Sequence, residues 1–451
     1  MKRLIETIKN IYKIEDLRIR IINTIGFILI YRLGTHIVLP GIDPHYLSGM
    51  HQQGGKGLVG LLNMFSGGAF ANASVFALGI MPYISASIVI QLLTMAVPYF
   101  QKLQKEGESG RRKINQITRY LTVIVLIMQS QGYIANLHYQ IPTIAFHPLG
   151  DSFLVFRITT TIVLTAGSMF VMWIGERITD KGIGNGISLI IMIGIIARLP
   201  LALTSEFASR METLGGGLVI FLVEIFVLVI VILLNILLVQ GTRRIPVQYA
   251  KRIIGNKQYG GVRQFIPLKV NAAGVMPIIF AQAIMFLPLT LASFGKNESV
   301  NSFVRTFSDI NSFWYNFTFA VLIIAFTYFY TAIAINPSQM AEDMKKNGGF
   351  IPGVKPGKKT SDFLDDILSR ITLPGSIFLA FVAIMPALVR LLGVNSQFAQ
   401  FYGGTSLLIL VGVVLDTLQQ IESHLLMRHY DGLMKTGRIK GRSSTGAGGA
   451  Y

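Results

Sequence analysis

Gly79-Ile-Met-Pro-Tyr-Ile-Ser-Ala-Ser-Ile-Val-Ile-Gln-Leu-Leu93 returns later in the chain as Gly274-Val-Met-Pro-Ile-Ile-Phe-Ala-Gln-Ala-Ile-Met-Phe-Leu-Pro288, with Gly, Met, Pro, Ile and Ala in register. A second pair, Gly186-Ile-Ser-Leu-Ile-Ile-Met-Ile-Gly194 and Gly404-Thr-Ser-Leu-Leu-Ile-Leu-Val-Gly412, keeps Gly, Ser, Leu, Ile and Gly in register. The pairs occur in the same order, which argues for an internal repeat rather than a chance likeness between apolar helices. If the two copies cross a membrane in opposite directions, the repeat is inverted, and a pathway is expected at the interface of the halves near the bilayer midplane.

The composition supports a membrane setting. The chain has 451 residues, 52% hydrophobic and 14% charged, with a mean hydropathy of +0.56, far more apolar than a soluble globular protein. Runs long enough to cross a hydrocarbon core of about 30 Å as helices fall at 21–38, 78–97, 120–137, 153–174, 186–204, 217–240, 273–293, 316–336, 372–392 and 404–423. The expected fold is therefore all-α and polytopic, with ten transmembrane helices in two pseudo-symmetric, inverted five-helix halves, 21–204 and 205–424. Residues 1–20 are basic and amphipathic but lack a signal peptide's apolar stretch and cleavage site, so they are expected to stay as a surface helix. The tail 425–451 is expected to be cytoplasmic with a disordered end. With no cysteine in the chain, disulfides and thiolate metal sites are excluded.

The net charge of +18 is distributed unevenly. With the N-terminus in the cytoplasm, 32 of the 40 Lys and Arg fall on cytoplasmic segments, whereas the opposite side holds Lys56, Arg198, Arg210, Lys296, Arg305 and Arg390. That bias sets the orientation, with both termini inside. Arg32, Arg157, Glu224 and Asp416 lie within spans. Charges there are unfavourable in lipid, so these four are expected to face protein or polar headgroups.

Two basic cytoplasmic loops carry signs of order. Residues 241–271 alternate apolar and polar side chains on either side of a Gly-rich turn, as an extended hairpin does. Residues 337–371 include Phe350-Ile-Pro-Gly-Val-Lys-Pro-Gly-Lys-Lys359, whose Pro and Gly mark turns. Long basic loops of this kind suit docking of an anionic macromolecule, such as ribosomal RNA, or an acidic motor protein. On the external side, Gly57-Leu-Val-Gly-Leu-Leu-Asn-Met-Phe-Ser-Gly-Gly-Ala-Phe-Ala-Asn72 is apolar but interrupted. Irregular backbone at membrane depth survives only inside protein or along a cavity, which makes this segment a re-entrant stopper for a pore.

These residues together resemble the SecY family, whose members form the central subunit of the bacterial Sec protein-conducting channel. The likeness runs from about residue 15 to 440. It includes Ala77-Leu-Gly-Ile-Met-Pro-Tyr-Ile-Ser-Ala-Ser-Ile-Val-Ile-Gln-Leu-Leu-Thr94, Trp173-Ile-Gly-Glu-Arg-Ile-Thr-Asp-Lys-Gly-Ile-Gly-Asn-Gly-Ile-Ser-Leu-Ile190, Arg243-Arg-Ile-Pro-Val247 and Gly403-Gly-Thr-Ser-Leu-Leu-Ile409. The resemblance implies a clamshell around an hourglass pore, with a plug over 57–76 that includes Asn63, Met64, Phe65, Ser66, Gly67 and Gly68. It implies a lateral gate, between spans two and three on one side and seven and eight on the other, with Ser85, Ser87, Gln91 and Gln282. Carried over position by position, the pore ring is Ile80, Ile84, Ile187, Ile191, Ile279 and Ile409. In the internal repeat Ile84 aligns with Ile279 and Ile191 with Ile409, so four of the six are also related by the pseudo-symmetry.

By the same resemblance, partner docking falls to Arg243, Arg244, Lys251, Arg252, Lys345, Lys346, Lys355, Lys358 and Lys359. Lys355 stands where the family pattern Gly-Ile-Arg-Pro-Gly has Arg. The implied partners are SecE, SecG, the SecA ATPase, the ribosome, signal-bearing preproteins and membrane lipid, with no DNA and no cofactor. The implied role is translocation of unfolded chains across the cytoplasmic membrane and lateral release of transmembrane segments to lipid.

Enzyme readings fail on the residues. Gly353-Val-Lys-Pro-Gly-Lys-Lys-Thr360 superficially resembles a phosphate loop, but Lys359 breaks the required Gly-Lys-Ser/Thr. Gly182-Ile-Gly-Asn-Gly186 follows a membrane helix rather than a strand. No His pair has ligand spacing on one helix, and no Ser, His and acid set has a supporting motif. An ion-coupled secondary transporter is the alternative, since inverted repeats also serve solute carriers. Its sites need converging polar groups at mid-membrane, whereas this repeat brings isoleucines together. A channel-less insertase or chaperone gives no reason for a plug and ring.

Overall fold

The computed structural model describes residues 14–47, 63–140, 153–212, 217–249, 252–254, 257–259, 263–282, 284–285 and 312–436. In lipid a chain must satisfy its backbone polar groups internally, and helices do so segment by segment. Seven helices among the described residues are long and apolar enough to cross a bilayer. They are spans three to six and eight to ten: Glu108–Gln140, Phe153–Lys181, Gly186–Met211, Gly217–Gln240, Phe313–Ala334, Lys358–Leu391 and Gly404–Thr436.

The other three expected spans fall outside those seven helices. Span one is the helix Glu15–Gly34, with Glu15, Asp16 and Arg32 in its end turns. Residues 15–20, expected in a surface helix, are thus continuous with the span. Span two is the helix Met81–Ala96 followed by Pro98–Lys105, the two meeting at a bend of 96°. Its cause is local: Pro98 pushes the preceding residue out of the helical region, and Val97 is extended at φ −107° and ψ 121°. Of span seven, 276–282 are helical and most of the rest to 293 lies outside the described residues.

The repeat has a backbone counterpart. Gly79 and Gly274, which head the two copies, both adopt positive φ, 55° and 63°, a region open to glycine without steric penalty. In each case the helix begins two residues later, at Met81 and at Met276.

The two basic loops are ordered against each other. Strand β1 (Thr242–Tyr249) pairs antiparallel with β4 (Arg263–Lys269), Thr242 opposite Lys269 and Gln248 opposite Arg263. Between them lie β2 (Arg252–Ile254) and β3 (Lys257–Tyr259), which form a small hairpin of their own. The other edge of β1 takes β5 (Gly349–Phe350), so one sheet joins loop 241–271 to loop 337–371. Alternation along β1 turns Ile245 and Val247 inward, onto Leu268, Met344, Ile351 and Leu364, as period-two geometry requires. Loop 337–371 is not all loop: Pro337–Lys346 is a helix, and from Lys358 the chain is already in the helix of span nine.

The apolar exterior is lipid-facing. Span six exposes Leu218, Val219, Leu222, Val223 and Phe226, a surface that would aggregate in water but is ordinary against acyl chains. The largest core cluster lies between spans two, four, five and ten and the segment starting at Asn63.

Candidate functional site

The segment after Asn63 folds by satisfying itself. Asn63, fully buried, accepts at Oδ1 from Ala71 N at 3.0 Å. Its carbonyl takes Gly68 N at 2.9 Å and Ser66 Oγ at 3.2 Å. Ser66 Oγ in turn accepts from Phe70 N at 3.1 Å. Buried backbone without regular structure needs such partners. The outside of the turn is held by spans one and three: Tyr31 Oη donates to Ser66 O at 3.3 Å, Arg32 Nη1 to Gly67 O at 3.1 Å, and Tyr133 Oη to Phe70 O at 2.8 Å. Gly67 has φ +65°, and a Cβ on it would lie 2.9 Å from both Arg32 Nη1 and Gly194 Cα. The turn therefore sits directly on span five.

Met64 and Phe65, at the start of this segment, pack into the cluster that contains Ile80, Ile191 and Ile409, with Ile84 and Ile187 half-buried against it. Five of the six expected ring isoleucines are thus gathered from spans two, five and ten. Ile279 is half-buried and stands outside that cluster, while Val275 on the same segment packs against it. In the repeat Val275 is the counterpart of Ile80. Ile278, next to Ile279, is fully buried toward spans eight and nine with Phe319 and Leu379.

At the mouth of span five, Asn185 caps the helix, its Oδ1 accepting from Ile187 N at 3.2 Å and Ser188 N at 3.3 Å. On the same side a cavity of about 1040 Å³ is lined by Ser87, Gln91, Tyr83, Arg119, Glu176 and Asn185, among others. Arg119 and Glu176 form a forked pair inside it, Nη2 at 2.8 Å from both carboxylate oxygens. Ser85 donates to Met81 O within its own helix. Gln282 lines a separate cavity of about 60 Å³ with Tyr315, Asn316, Gln400, Thr405 and Ser406. The four expected gate residues are thus not brought into one place. A third cavity, of about 740 Å³, lies between the two halves, from Thr94, Gln101 and Lys105 at the end of span two to Asn336, Gln339 and Asp343 after span eight.

Of the expected docking residues, Arg243, Arg244, Lys345, Lys346, Lys355, Lys358 and Lys359 are exposed. Arg252 lies on β2, and Lys251 is outside the described residues, as are 57–62 of the expected plug, residues 1–13 and the tail beyond 436. The charged residues within spans have distinct settings. Arg157 Nε donates to Gln131 Oε1 on span three, Glu224 pairs with Arg210, and Asp416 is exposed. Sequence reasoning missed Tyr31, Tyr133 and the Arg210 pairing; Arg32 and Glu224, the partner of Arg210, carried a signal, each a charge in an apolar run.

A family model described as SecY matches residues 74–418. Its span takes in both repeat pairs. The chain belongs to the SecY family. A relative from Streptomyces galbus, the protein translocase subunit SecY, is 44% identical over 434 residues, covering 94% of this chain and 98% of its own. A solved SecY, described as having a plug domain that stabilises the closed state of the translocation channel, is 17% identical with TM-score 0.57, covering 94% and 95%. Sec61 in a canine ribosome-channel complex is 15% identical with TM-score 0.53, covering 94% and 95%. As a SecY-family chain this is a multi-pass membrane protein, the channel subunit of a protein translocase, and not an enzyme. The solute-carrier alternative is not favoured.

Proposed function

We propose that this chain forms the pore through which unfolded, signal-bearing polypeptides cross the bacterial cytoplasmic membrane, with both termini in the cytoplasm. The observation that carries the reading is that Met64 and Phe65 share one buried core cluster with Ile80, Ile191 and Ile409. In this reading 57–76 is the plug, the six isoleucines at 80, 84, 187, 191, 279 and 409 are the collar, and 21–204 and 205–424 are the two halves of the clamshell. A collar of branched apolar side chains offers no ion a substitute for its hydration shell and closes around chains of any sequence. Ser85, Ser87, Gln91 and Gln282 belong to a lateral gate that opens toward lipid.

The energy comes from outside the chain, whose residues contain no nucleotide-binding motif. SecE and SecG are the membrane partners in this reading, and SecA and the ribosome dock on Arg243, Arg244, Lys251, Arg252, Lys345, Lys346, Lys355, Lys358 and Lys359. The ribosome-bound state of the related canine Sec61 supports that docking face, as does the sheet that makes one projection of the two loops.

The test uses the absence of native cysteine. Cysteines placed singly at Ile84 and Ile279 should crosslink to a stalled, signal-bearing chain, and a cysteine at lipid-facing Leu222 should not. Crosslinking at Leu222 with none at Ile84 would overturn the pathway.

A further inference from the structure

Span one meets the plug segment through two consecutive side chains acting on two consecutive carbonyls. Tyr31 Oη donates to Ser66 O at 3.3 Å and Arg32 Nη1 to Gly67 O at 3.1 Å. Arg32 lies in an apolar helix, where a cation is unfavourable unless a polar partner meets it. Here the partner is a backbone carbonyl aimed by the left-handed turn at Gly67, φ +65°, and Gly68, φ +95°. A carbonyl presented by a turn is in reach only while that turn is seated. The seat is tight: a Cβ on Gly194 of span five would fall 2.7 Å from Phe65 O and 3.2 Å from Gly67 N.

We propose that Arg32 is a positioning residue for the closed channel, a latch whose guanidinium holds the plug on span five through the Gly67 carbonyl. The proposal rests on the reading of 57–76 as a plug. The charge is what gives the latch strength, because a hydrogen bond from an ionised donor is roughly twice as strong as a neutral one. It is also what lets the latch release, since a plug that leaves exposes the guanidinium to the water that enters the opened channel.

The experiment compares Arg32→Leu, Arg32→Lys and Gly194→Ala in the full chain within its translocase, at matched abundance in membranes. Two readouts are used: ion conductance of the resting channel, and labelling of a single cysteine at Met64, now 2% exposed, by a membrane-impermeant maleimide. Arg32→Leu should raise the labelling rate by roughly ten- to a hundredfold, as loss of one charge-assisted hydrogen bond predicts, and should make the resting channel leak. Arg32→Lys, which keeps a cationic donor, should restore most of the closed state, a rescue that a purely structural arginine would not show. Gly194→Ala, which crowds the same seat without touching Arg32, should also leak. Leak from Gly194→Ala with wild-type labelling in Arg32→Leu would remove the latch and leave the plug standing. Wild-type behaviour of both would overturn the plug reading itself.

Discussion

Arg210 Nη2 stands 2.6 Å from Glu224 Oε1, and this pair ties the end of span five to the start of span six. The same guanidinium reaches Glu206 Oε1 at 2.9 Å and Gly393 O at 2.9 Å. Glu206 Oε2 accepts from Asn395 N at 2.8 Å, and Tyr402 Oη donates to Glu224 O at 2.8 Å. One arginine thus joins the last span of the first half to the first span of the second and to the turn before span ten.

That junction should be fragile to removal of its cation. The side chains of Arg210, Glu206 and Glu224 are 14%, 1% and 9% exposed, so Arg210→Ala strands two carboxylates out of water. Breaking a buried pair in this way destabilises by about 3–5 kcal/mol. The expected outcome is a lower thermal midpoint of the purified channel and reduced steady-state level. Arg210→Lys should recover only part, since a single ammonium cannot repeat the fork. An Arg210→Ala channel as stable as wild type would show that the junction contributes nothing.

The proposed collar gives a second expectation. Ile409 is 8% exposed within the cluster that seats Met64. Ile409→Asn buries an amide without a partner, an unfavourable change of about 1–3 kcal/mol on mutational scales, and hydration of the collar relieves it. Ile409→Asn and Ile84→Asn channels should therefore export substrates with defective signal peptides. Export assays at equal channel abundance check this, and unchanged rejection of those substrates counts against the collar.

Asn185 offers a smaller, local effect. Its side chain satisfies two amides at the start of span five, and such caps contribute about 1 kcal/mol. Asn185→Ala should lower the thermal midpoint modestly, while Asn185→Asp, which keeps the acceptor, should not. Equal loss in both variants would point to a contact other than the cap.

Much of the architecture was legible because lipid imposes it. Span six, 217–240, carries a single charge, Glu224, in an otherwise apolar run, and its helix has those same bounds. Span nine was read only from residue 372, yet its helix begins at Lys358. Asp362, Asp365, Asp366 and Arg370 lower hydropathy without opposing a helix, so an apolar window stops where the helix does not. The repeat was legible in letters, and the shared positive φ of Gly79 and Gly274 gives the physical reason that glycine recurs. The Arg32 and Arg210 contacts were not legible, because each depends on where separate helices come to rest, and periodicity along one helix carries no information about its neighbours. Ile279 shows the same limit: the repeat aligned it with Ile84, yet of the two only Ile84 packs against the large core cluster, which Val275 also joins.

The last prediction concerns Lys355, at the tip of the loop between spans eight and nine, where the family pattern has Arg. Its backbone is fixed, with its carbonyl accepting from Thr360 Oγ1 at 2.9 Å and with Gly353 and Gly357 turning the chain at φ 87° and 104°. Its side chain is exposed. The tip therefore presents a cation from a rigid turn, and changing that cation leaves the turn's own bonds in place. An ammonium is a single point charge, whereas a guanidinium offers a planar fork, so a partner that reads charge alone accepts either. Lys355→Arg is expected to support SecA-driven export at wild-type rates, and Lys355→Glu to abolish it with channel abundance and thermal midpoint unchanged. Export rates for both variants at matched abundance decide the matter: wild-type export by Lys355→Glu would take Lys355 off the docking face, and loss of export in Lys355→Arg would mean that the contact is fitted to lysine's shape rather than to its charge.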